Sequence, residues 1–125
     1  HYWAAPFELN NEFGGRGLPH PLPSNAHIMN TKRTTQPMEN TTLAVVMTNA
    51  SLSQAECKRI AVNAHDGFAR AIYPVHTPSD GDLVFVISSN EIDIVGTNVD
   101  TLHLGTAAAN VVARAIAKGV HLANR

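Results

Sequence analysis

Two short apolar runs, each followed by a stretch with helical spacing, constrain the fold of this chain most strongly. Residues 42–48 and 83–87 are rich in β-branched and other apolar side chains, which predicts two strands. The uninterrupted run at 83–87 predicts a strand that is buried on both faces. The order strand, helix, strand, helix fits a βαβ unit with parallel strands or part of a helix-covered antiparallel sheet, and periodicity does not separate them.

The first helix has clear boundary signals. Ser53 followed by Glu56 has the capping-box pattern, with Ser at the N-cap and Glu three residues later. Apolar residues recur behind it at helical spacing, which predicts one helix over 53–72. Pro74 ends this helix because the residue before a proline avoids the helical region.

The second helix is predicted to begin after Asp100 as its N-cap and to end near Leu122. Segment 92–95, just before it, stays open between a short strand and a turn. Small residues, among them Gly105, allow the helix to pack closely against a sheet or another helix. Its predicted core face consists of Leu104, Ala108, Val111, Val112, Ala115, Ile116 and Val120.

The first 40 residues read as irregular structure. They hold five of the seven prolines and the run Gly14-Gly15-Arg16-Gly17, which breaks helices and marks turns. Such a long stretch is expected to be a functional loop or a connector, and 31–40 is the linker candidate. Three aromatic residues lie in it without any periodic pattern to bury them, so we expect a partner segment to complete the core: Trp3, Phe7 and Phe13.

Composition and charge exclude several function classes. The net charge is −1 and only 15% of the 125 residues are charged, so no basic footprint for nucleic acid is present. Apolar runs of about six residues are too short to span a membrane. No basic leader with an apolar core is visible, so a cytoplasmic protein is expected. The 44% hydrophobic content suits one compact domain or part of a larger one.

Seven histidines and one cysteine raise the question of a metal site, which their spacing does not favour. No HExxH or CxxC pattern occurs, and Cys57 alone cannot form an internal disulfide. His65 and His103 are expected to be packed or surface residues of the helices. His76 is expected to be structural, although an enzyme of another mechanism that uses His76 and Asp80 stays open.

Asn40 and Thr41 mark the point where a polar stretch ends and the first strand begins. Cleavage between them would free an α-amino group on the residue that carries a hydroxyl. That amine, with an ordinary pKa of about 8, can serve as the base that activates the hydroxyl. The alternative is a non-catalytic binding or assembly domain, in which Thr41 is only the first residue of a core strand.

Three blocks in a fixed order carry a resemblance to a known family: 40–46, 65–72 and 76–82, preceded by Glu12-Phe13-Gly14-Gly15. The chain resembles the self-processing aminopeptidase family, which includes L-aminopeptidase/D-esterase and the β-aminopeptidases. Within that family it is most similar to the members that hydrolyse nylon oligomers. The resemblance covers nearly the whole chain.

The resemblance implies an α/β fold, an αββα sandwich similar to that of N-terminal-nucleophile hydrolases, of which this chain is the C-terminal part. Residues 1–40 would be the end of an α segment with its linker, and 41–125 the β segment that self-cleavage between Asn40 and Thr41 releases. It also implies a homo-oligomer, most often a tetramer. The family's catalytic Lys and Asn match nothing in 1–40, so an upstream α segment is the expected partner.

The resemblance further implies an amide-bond hydrolase that forms an acyl-enzyme and uses no metal or organic cofactor. Its substrates would be 6-aminohexanoate (nylon-6) oligomers or, alternatively, short peptides with a free amino end. Thr41 is the implied nucleophile, with Asp80 and Asp82 near it. From the residues alone, Asp-Gly-Asp is an ordinary turn before a strand. Beside a free amine, a pair of carboxylates can hold its proton and orient the hydroxyl.

Overall fold

A computed structural model describes residues 1–27, 41–78, 80–95, 97 and 99–124 of the chain. Within them the chain forms a mixed α/β unit in which a small sheet is covered by helices on one face. A short 3-10 helix, Ala5–Phe7, precedes it. In chain order, the elements are β1 (Leu43–Ala50), α1 (Gln54–Ala64), α2 (Asp66–Ala71), β2 (Leu83–Ile92) and α3 (Thr101–Ala123).

The two strands are parallel, which decides between the two topologies that the sequence left open. Leu43 pairs with Leu83, and the register continues to Thr48 and Ser88. The crossover between the strands consists of α1 and α2, so the unit is βαβ. For segment 92–95 the sequence did not decide between a strand and a turn. Of these residues only Ile92 belongs to a strand, as the last residue of β2.

The sheet has one covered and one exposed face, and the prediction that β2 is buried on both sides is therefore wrong. Alternate residues point to the two faces of each strand. Ala44, Val46, Val84 and Val86 pack against the helical core. We call the opposite side the open sheet face, and it consists of Leu43, Val45, Met47, Leu83, Phe85 and Ile87, each about half exposed or more.

The predicted capping box of α1 is confirmed. The Ser53 hydroxyl accepts a hydrogen bond from the Glu56 N–H at 3.3 Å, and the Glu56 carboxylate accepts one from the Ser53 N–H at 2.8 Å. The Ser53 hydroxyl also donates to this carboxylate at 2.6 Å, and these hydrogen bonds lower the pKa of Glu56. Two of the four unpaired N–H groups at the start of the helix are thereby satisfied.

The single helix predicted over 53–72 is wrong, because the helix is interrupted at His65. The Phe68 N–H bonds to the His65 carbonyl, three residues back, at 3.0 Å, and α2 starts from this tight turn. Gly67 then lies so close to α3 that a β-carbon there would be 2.5 Å from the Ala109 carbonyl oxygen. The spacing of residues in the sequence predicts neither the turn at His65 nor the close approach of Gly67 to α3.

The N-cap of α3 is as predicted, but its core face is partly different. The Asp100 carboxylate accepts a hydrogen bond from the His103 N–H at 3.0 Å, and this bond lowers the pKa of Asp100. Val111, Ala115 and Val120 are exposed instead of buried. The buried face is shifted because α1 and α2 cover one side of α3 and N-terminal residues cover the adjacent side. The buried residues of α3 are Gly105, Ala108, Ala109, Val112, Ala113 and Ala117.

Phe13 buries its ring against α3, so the expectation that the N-terminal aromatic residues need a partner segment is wrong for this residue. Its side chain is 1% exposed and lies in a cluster with Ala4, Ala113 and Ala117. The Tyr2 ring packs edge-on against it, with 5.5 Å between ring centroids. The linker candidate 31–40, in contrast, lies outside the described residues.

The carboxylates of Glu8 and Glu12 hold this N-terminal segment in place through hydrogen bonds. Glu12 accepts a hydrogen bond from the Arg114 guanidinium of α3, which lowers the pKa of Glu12 and raises that of Arg114. The contribution of this pair to stability is therefore present at neutral pH and is lost as the pH falls through the lowered pKa. Glu8 accepts hydrogen bonds from the N–H groups of Phe13 and Gly15 at 2.8 and 2.9 Å.

We expect Phe68→Ala to lower the free energy of unfolding by about 3–5 kcal/mol, because it removes a fully buried ring and leaves a cavity. Phe68 is 0% exposed and lies in the main core between the helices and the sheet. Urea denaturation of the full-length protein measures the change. The matched control is Val62→Ala on α1, at 56% exposure, for which a change within about 0.5 kcal/mol is expected. Equal effects of the two variants would contradict this core.

Among the helices described, α3 is the longest at 23 residues. Neither it nor any other described helix has an apolar stretch long enough to cross a membrane.

Candidate functional site

The residues just before β1 and β2 meet at one edge of the sheet. Parallel strands begin at the same edge, so the segments that enter them lie side by side. The Leu83 N–H donates to the Thr42 carbonyl at 3.0 Å, directly before the first strand pair. The loop that ends at Asp82 is thereby placed beside Thr41, although 40 residues separate them in sequence.

Asp82 reaches across this edge to the start of β1. Its Oδ1 accepts a hydrogen bond from the backbone N–H of Thr42 at 2.8 Å. Asp82 is half-buried, so its carboxylate is partly shielded from water. The structure therefore places one carboxylate on the backbone of the residue that follows Thr41.

The Thr41 side chain lies against the backbone of Gly81. A β-carbon added to Gly81 would be 2.9 Å from the Thr41 Oγ1. Thr41 itself is exposed. Asn40, the other residue of the expected cleavage site, lies outside the described residues.

Asp80 closes a turn within its own loop. Its Oδ2 accepts a hydrogen bond from the Thr77 N–H at 2.7 Å, and its own N–H donates to the Thr77 carbonyl at 3.0 Å. These bonds join Asp80 back to Thr77, so the turn does not lie at Asp80-Gly81-Asp82, where the residues alone predict it. Within the residues that the structure describes, no hydrogen bond joins Asp80 to Thr41. Asp80 shapes the loop that carries Gly81 and Asp82 to the start of β1.

His76 packs in a small aromatic cluster next to this loop. Its backbone has a positive φ of +56°, and its ring centroid lies 5.6 Å from that of His65 and 6.3 Å from that of Phe68. His76 is itself exposed, so the structural role expected for it stays a prediction. The lone Cys57 is half-buried in α1. The described part of the chain contains no group of three or more His, Cys, Asp or Glu side chains that could hold a metal ion.

The family resemblance implies Thr41, Asp80 and Asp82 as site residues but does not indicate two backbone groups that link Thr41 with Asp82. The Thr42 N–H is the group that Asp82 binds, and Gly81 supplies the surface on which the Thr41 side chain lies. A glycine between two aspartates carries no spacing signal for this contact. Only the parallel register of the strands brings the two segments together.

Comparison with known proteins gives a family and several relatives. The profile of peptidase family S58 matches residues 11–125. An uncharacterized aminopeptidase of Mycobacterium tuberculosis is 42% identical over an alignment of 91 positions, which covers 65% of this chain and 26% of the relative. An uncharacterized aminopeptidase of Mycobacterium leprae is 48% identical over 58 residues, 46% of this chain and 16% of the relative.

A third relative is named for its activity. The 6-aminohexanoate-oligomer endohydrolase of Paenarthrobacter ureafaciens is 33% identical over an alignment of 81 positions, which covers 58% of this chain and 23% of that enzyme. The chain thus spans no more than 26% of the length of any of these relatives.

Proposed function

Because this chain belongs to peptidase family S58, we propose that it carries the nucleophile of an amide-bond hydrolase, the hydroxyl of Thr41. Relatives named as aminopeptidases and as an oligoamide endohydrolase support hydrolysis of amide bonds. The observation that carries the proposal is the hydrogen bond from the Thr42 N–H to Asp82, which holds a carboxylate beside the exposed Thr41. That arrangement suits a threonine activated by its own amine.

The first step is self-cleavage between Asn40 and Thr41. The Thr41 Oγ attacks the Asn40 carbonyl carbon, the peptide C–N bond breaks, and the hydroxyl proton passes to the Thr41 nitrogen. The product is an ester between Asn40 and the Thr41 Oγ, together with a free α-amine. Water then hydrolyses the ester, and Thr41 becomes an N-terminal residue with a free hydroxyl.

Turnover repeats the same chemistry on a substrate amide. The free α-amine of Thr41 takes the hydroxyl proton while Oγ attacks the substrate carbonyl, and it passes that proton to the leaving amine. An acyl ester on Oγ remains. Water, activated by the same amine, hydrolyses this ester and restores the hydroxyl. No metal or organic cofactor enters these steps.

The two aspartates have different tasks in this proposal. Asp82 places negative charge beside the new α-amine, which favours its protonated form and keeps the proton available to the leaving group. Its hydrogen bond to the Thr42 N–H supports that role by fixing its position. Asp80 contributes through the turn that it closes with Thr77. Its effect on catalysis is therefore expected to be smaller than that of Asp82.

Two substrate classes follow from the relatives. We propose linear and cyclic 6-aminohexanoate oligomers as one class, on the resemblance to the nylon-oligomer hydrolases. Short peptides with a free amino end are the second candidate, which the higher identity to the relatives named aminopeptidases favours. Hydrolysis of a 6-aminohexanoate oligomer and of an unblocked short peptide, compared in one assay, separates the two.

The whole enzyme is proposed to be an αββα sandwich of which this chain forms one part. Residues 1–40 would end the α segment, and 41–125 would form the β segment. The open sheet face supports this arrangement, because apolar patches of this kind mark surfaces that another part of the protein covers. The covering part would be the upstream α segment, and a homo-oligomer such as a tetramer completes the proposed assembly.

The intact mass of the denatured full-length protein tests self-cleavage. A fragment that begins at Thr41 is the expected product. A single unbroken chain after long incubation would contradict the proposal and favour a non-catalytic assembly domain.

We expect Asp82→Asn to slow self-cleavage by about 10²–10⁴-fold, the range associated with groups that assist proton transfer. The asparagine oxygen can still accept from the Thr42 N–H, so the fold should survive while the charge is lost. The rate of fragment formation and the melting temperature are the measurements. The control is Asp93→Asn, since the Asp93 carboxylate accepts a backbone N–H at 2.9 Å in a loop far from Thr41 in sequence. A normal rate in Asp82→Asn would leave Asp82 only a structural role.

A further inference from the structure

We propose that Gly81 is a positioning residue that sets the orientation of the Thr41 hydroxyl. The inference rests on the proposed function, because it takes Thr41 as the nucleophile. Gly81 has no side chain and therefore no reactive group of its own. Its contribution is the space that a hydrogen in place of a β-carbon leaves for the Thr41 oxygen.

Among the described residues, one neighbour supplies the closest contacts. The three atoms nearest to a β-carbon built on Gly81 all belong to the Thr41 side chain: Oγ1 at 2.9 Å, Cγ2 at 3.8 Å and Cβ at 3.9 Å. Ordinary contacts of a β-carbon begin at 3.4 Å, so only the hydroxyl oxygen is too close. A methyl group at position 81 would therefore displace the one atom on which the proposed chemistry depends.

Backbone conformation does not require glycine at this position. The φ angle of Gly81 lies outside the left-handed region, unlike those of Gly14 and Gly15, at +105° and +62°. Residue 81 is also exposed. Alanine is therefore tolerated by the backbone, and its effect should be confined to the threonine beside it.

The loop cannot easily move away to relieve the contact. Asp80 is bound to the Thr77 N–H and Asp82 to the Thr42 N–H, so Gly81 is held from both sides. The less costly response is rotation of the Thr41 side chain to another staggered position. That rotation preserves folding but moves the oxygen, and a misplacement of about 1 Å can cost on the order of 10²-fold in rate.

The test is Gly81→Ala in the full-length precursor. The fragment that begins at Thr41 should form about 10–100-fold more slowly, with the melting temperature unchanged. The matched control is Gly119→Ala on α3, where no atom lies within 4 Å of the new β-carbon. Gly119→Ala should be cleaved at the normal rate. Normal cleavage of Gly81→Ala would overturn the inference.

A second background separates positioning from damage to the loop. Serine lacks the γ-methyl group of threonine, so its hydroxyl has more staggered positions available. In a Thr41→Ser precursor, the slowing caused by Gly81→Ala should be at least about fivefold smaller, because the oxygen can find another productive orientation. An equal slowing in both backgrounds, or a large fall in melting temperature, would overturn the inference in favour of loop disruption.

Thr41→Ala keeps the two proposals distinguishable. If Thr41→Ala is still cleaved, the proposed function fails and this inference with it. If Thr41→Ala is blocked while Gly81→Ala is cleaved normally, only the role of Gly81 fails.

Discussion

Replacing Thr41 by Ala in the full-length protein is expected to abolish both cleavage after Asn40 and hydrolysis of amide substrates. The substitution removes the oxygen atom that forms the ester bond in both reactions. Removal of a hydrolase nucleophile typically costs on the order of 10⁶-fold in rate. Thr41 is exposed and lies just before β1, so the change leaves the hydrophobic core intact.

The measurement combines intact mass with an oligoamide and a peptide assay. The Thr41→Ala chain should remain uncut after an incubation that converts the unaltered protein completely. The control is Thr106→Ala, because the Thr106 hydroxyl donates only to the Leu102 carbonyl of its own helix, at 2.9 Å. The control should be cut at the normal rate. Substrate turnover by Thr41→Ala would exclude Thr41 as the nucleophile.

Replacing Phe85 by Asp is expected to destabilise the full-length protein by about 3 kcal/mol or more, if the upstream segment covers the open sheet face. A carboxylate buried in an apolar interface without a partner carries a desolvation penalty of several kcal/mol. Phe85 lies within the exposed apolar side of β2, beside its partner Val45 on β1. The same substitution on a surface facing water would have little effect.

Val62→Asp provides the matched control. Val62 lies on α1, on the other side of the unit from the open sheet face, and the two residues are almost equally exposed in this chain, at 56% for Val62 and 55% for Phe85. Urea denaturation of both full-length variants gives the comparison. A marked loss for Phe85→Asp alone indicates that the face is buried in the whole protein. Equal, small losses would contradict the sandwich arrangement.

Local signals in the sequence predicted local structure well. The capping box at Ser53 and the N-cap at Asp100 depend on residues three apart, and both are present. The course of the chain past His65 depends instead on how closely Gly67 approaches α3, which no local pattern encodes. The shifted face of α3 has a similar origin, because Ala113 and Ala117 are buried by residues near the N-terminus.

The exposure of β2 shows a second limit. Its apolar run predicts burial on both faces, and the helices of the described residues cover only one of them. In the proposed sandwich, an upstream segment would cover the other face. For the candidate site, resemblance to a family indicated Thr41 and Asp82, whereas their spacing in sequence predicts no contact. The parallel pairing of Leu43 with Leu83 supplies the missing physical reason.

The two hydrogen bonds at Thr42 have a consequence for the chain end that self-cleavage would create. A newly cut terminus ordinarily frays, and ordering it again costs conformational entropy of about 1–2 kcal/mol per residue. Here Thr42, the second residue of the new chain end, already forms two hydrogen bonds. Its N–H donates to the Asp82 carboxylate, and its carbonyl accepts from the Leu83 N–H. The new N-terminus would therefore remain ordered beside Asp82. The free α-amine of Thr41 would need no separate folding step before it acts as the base.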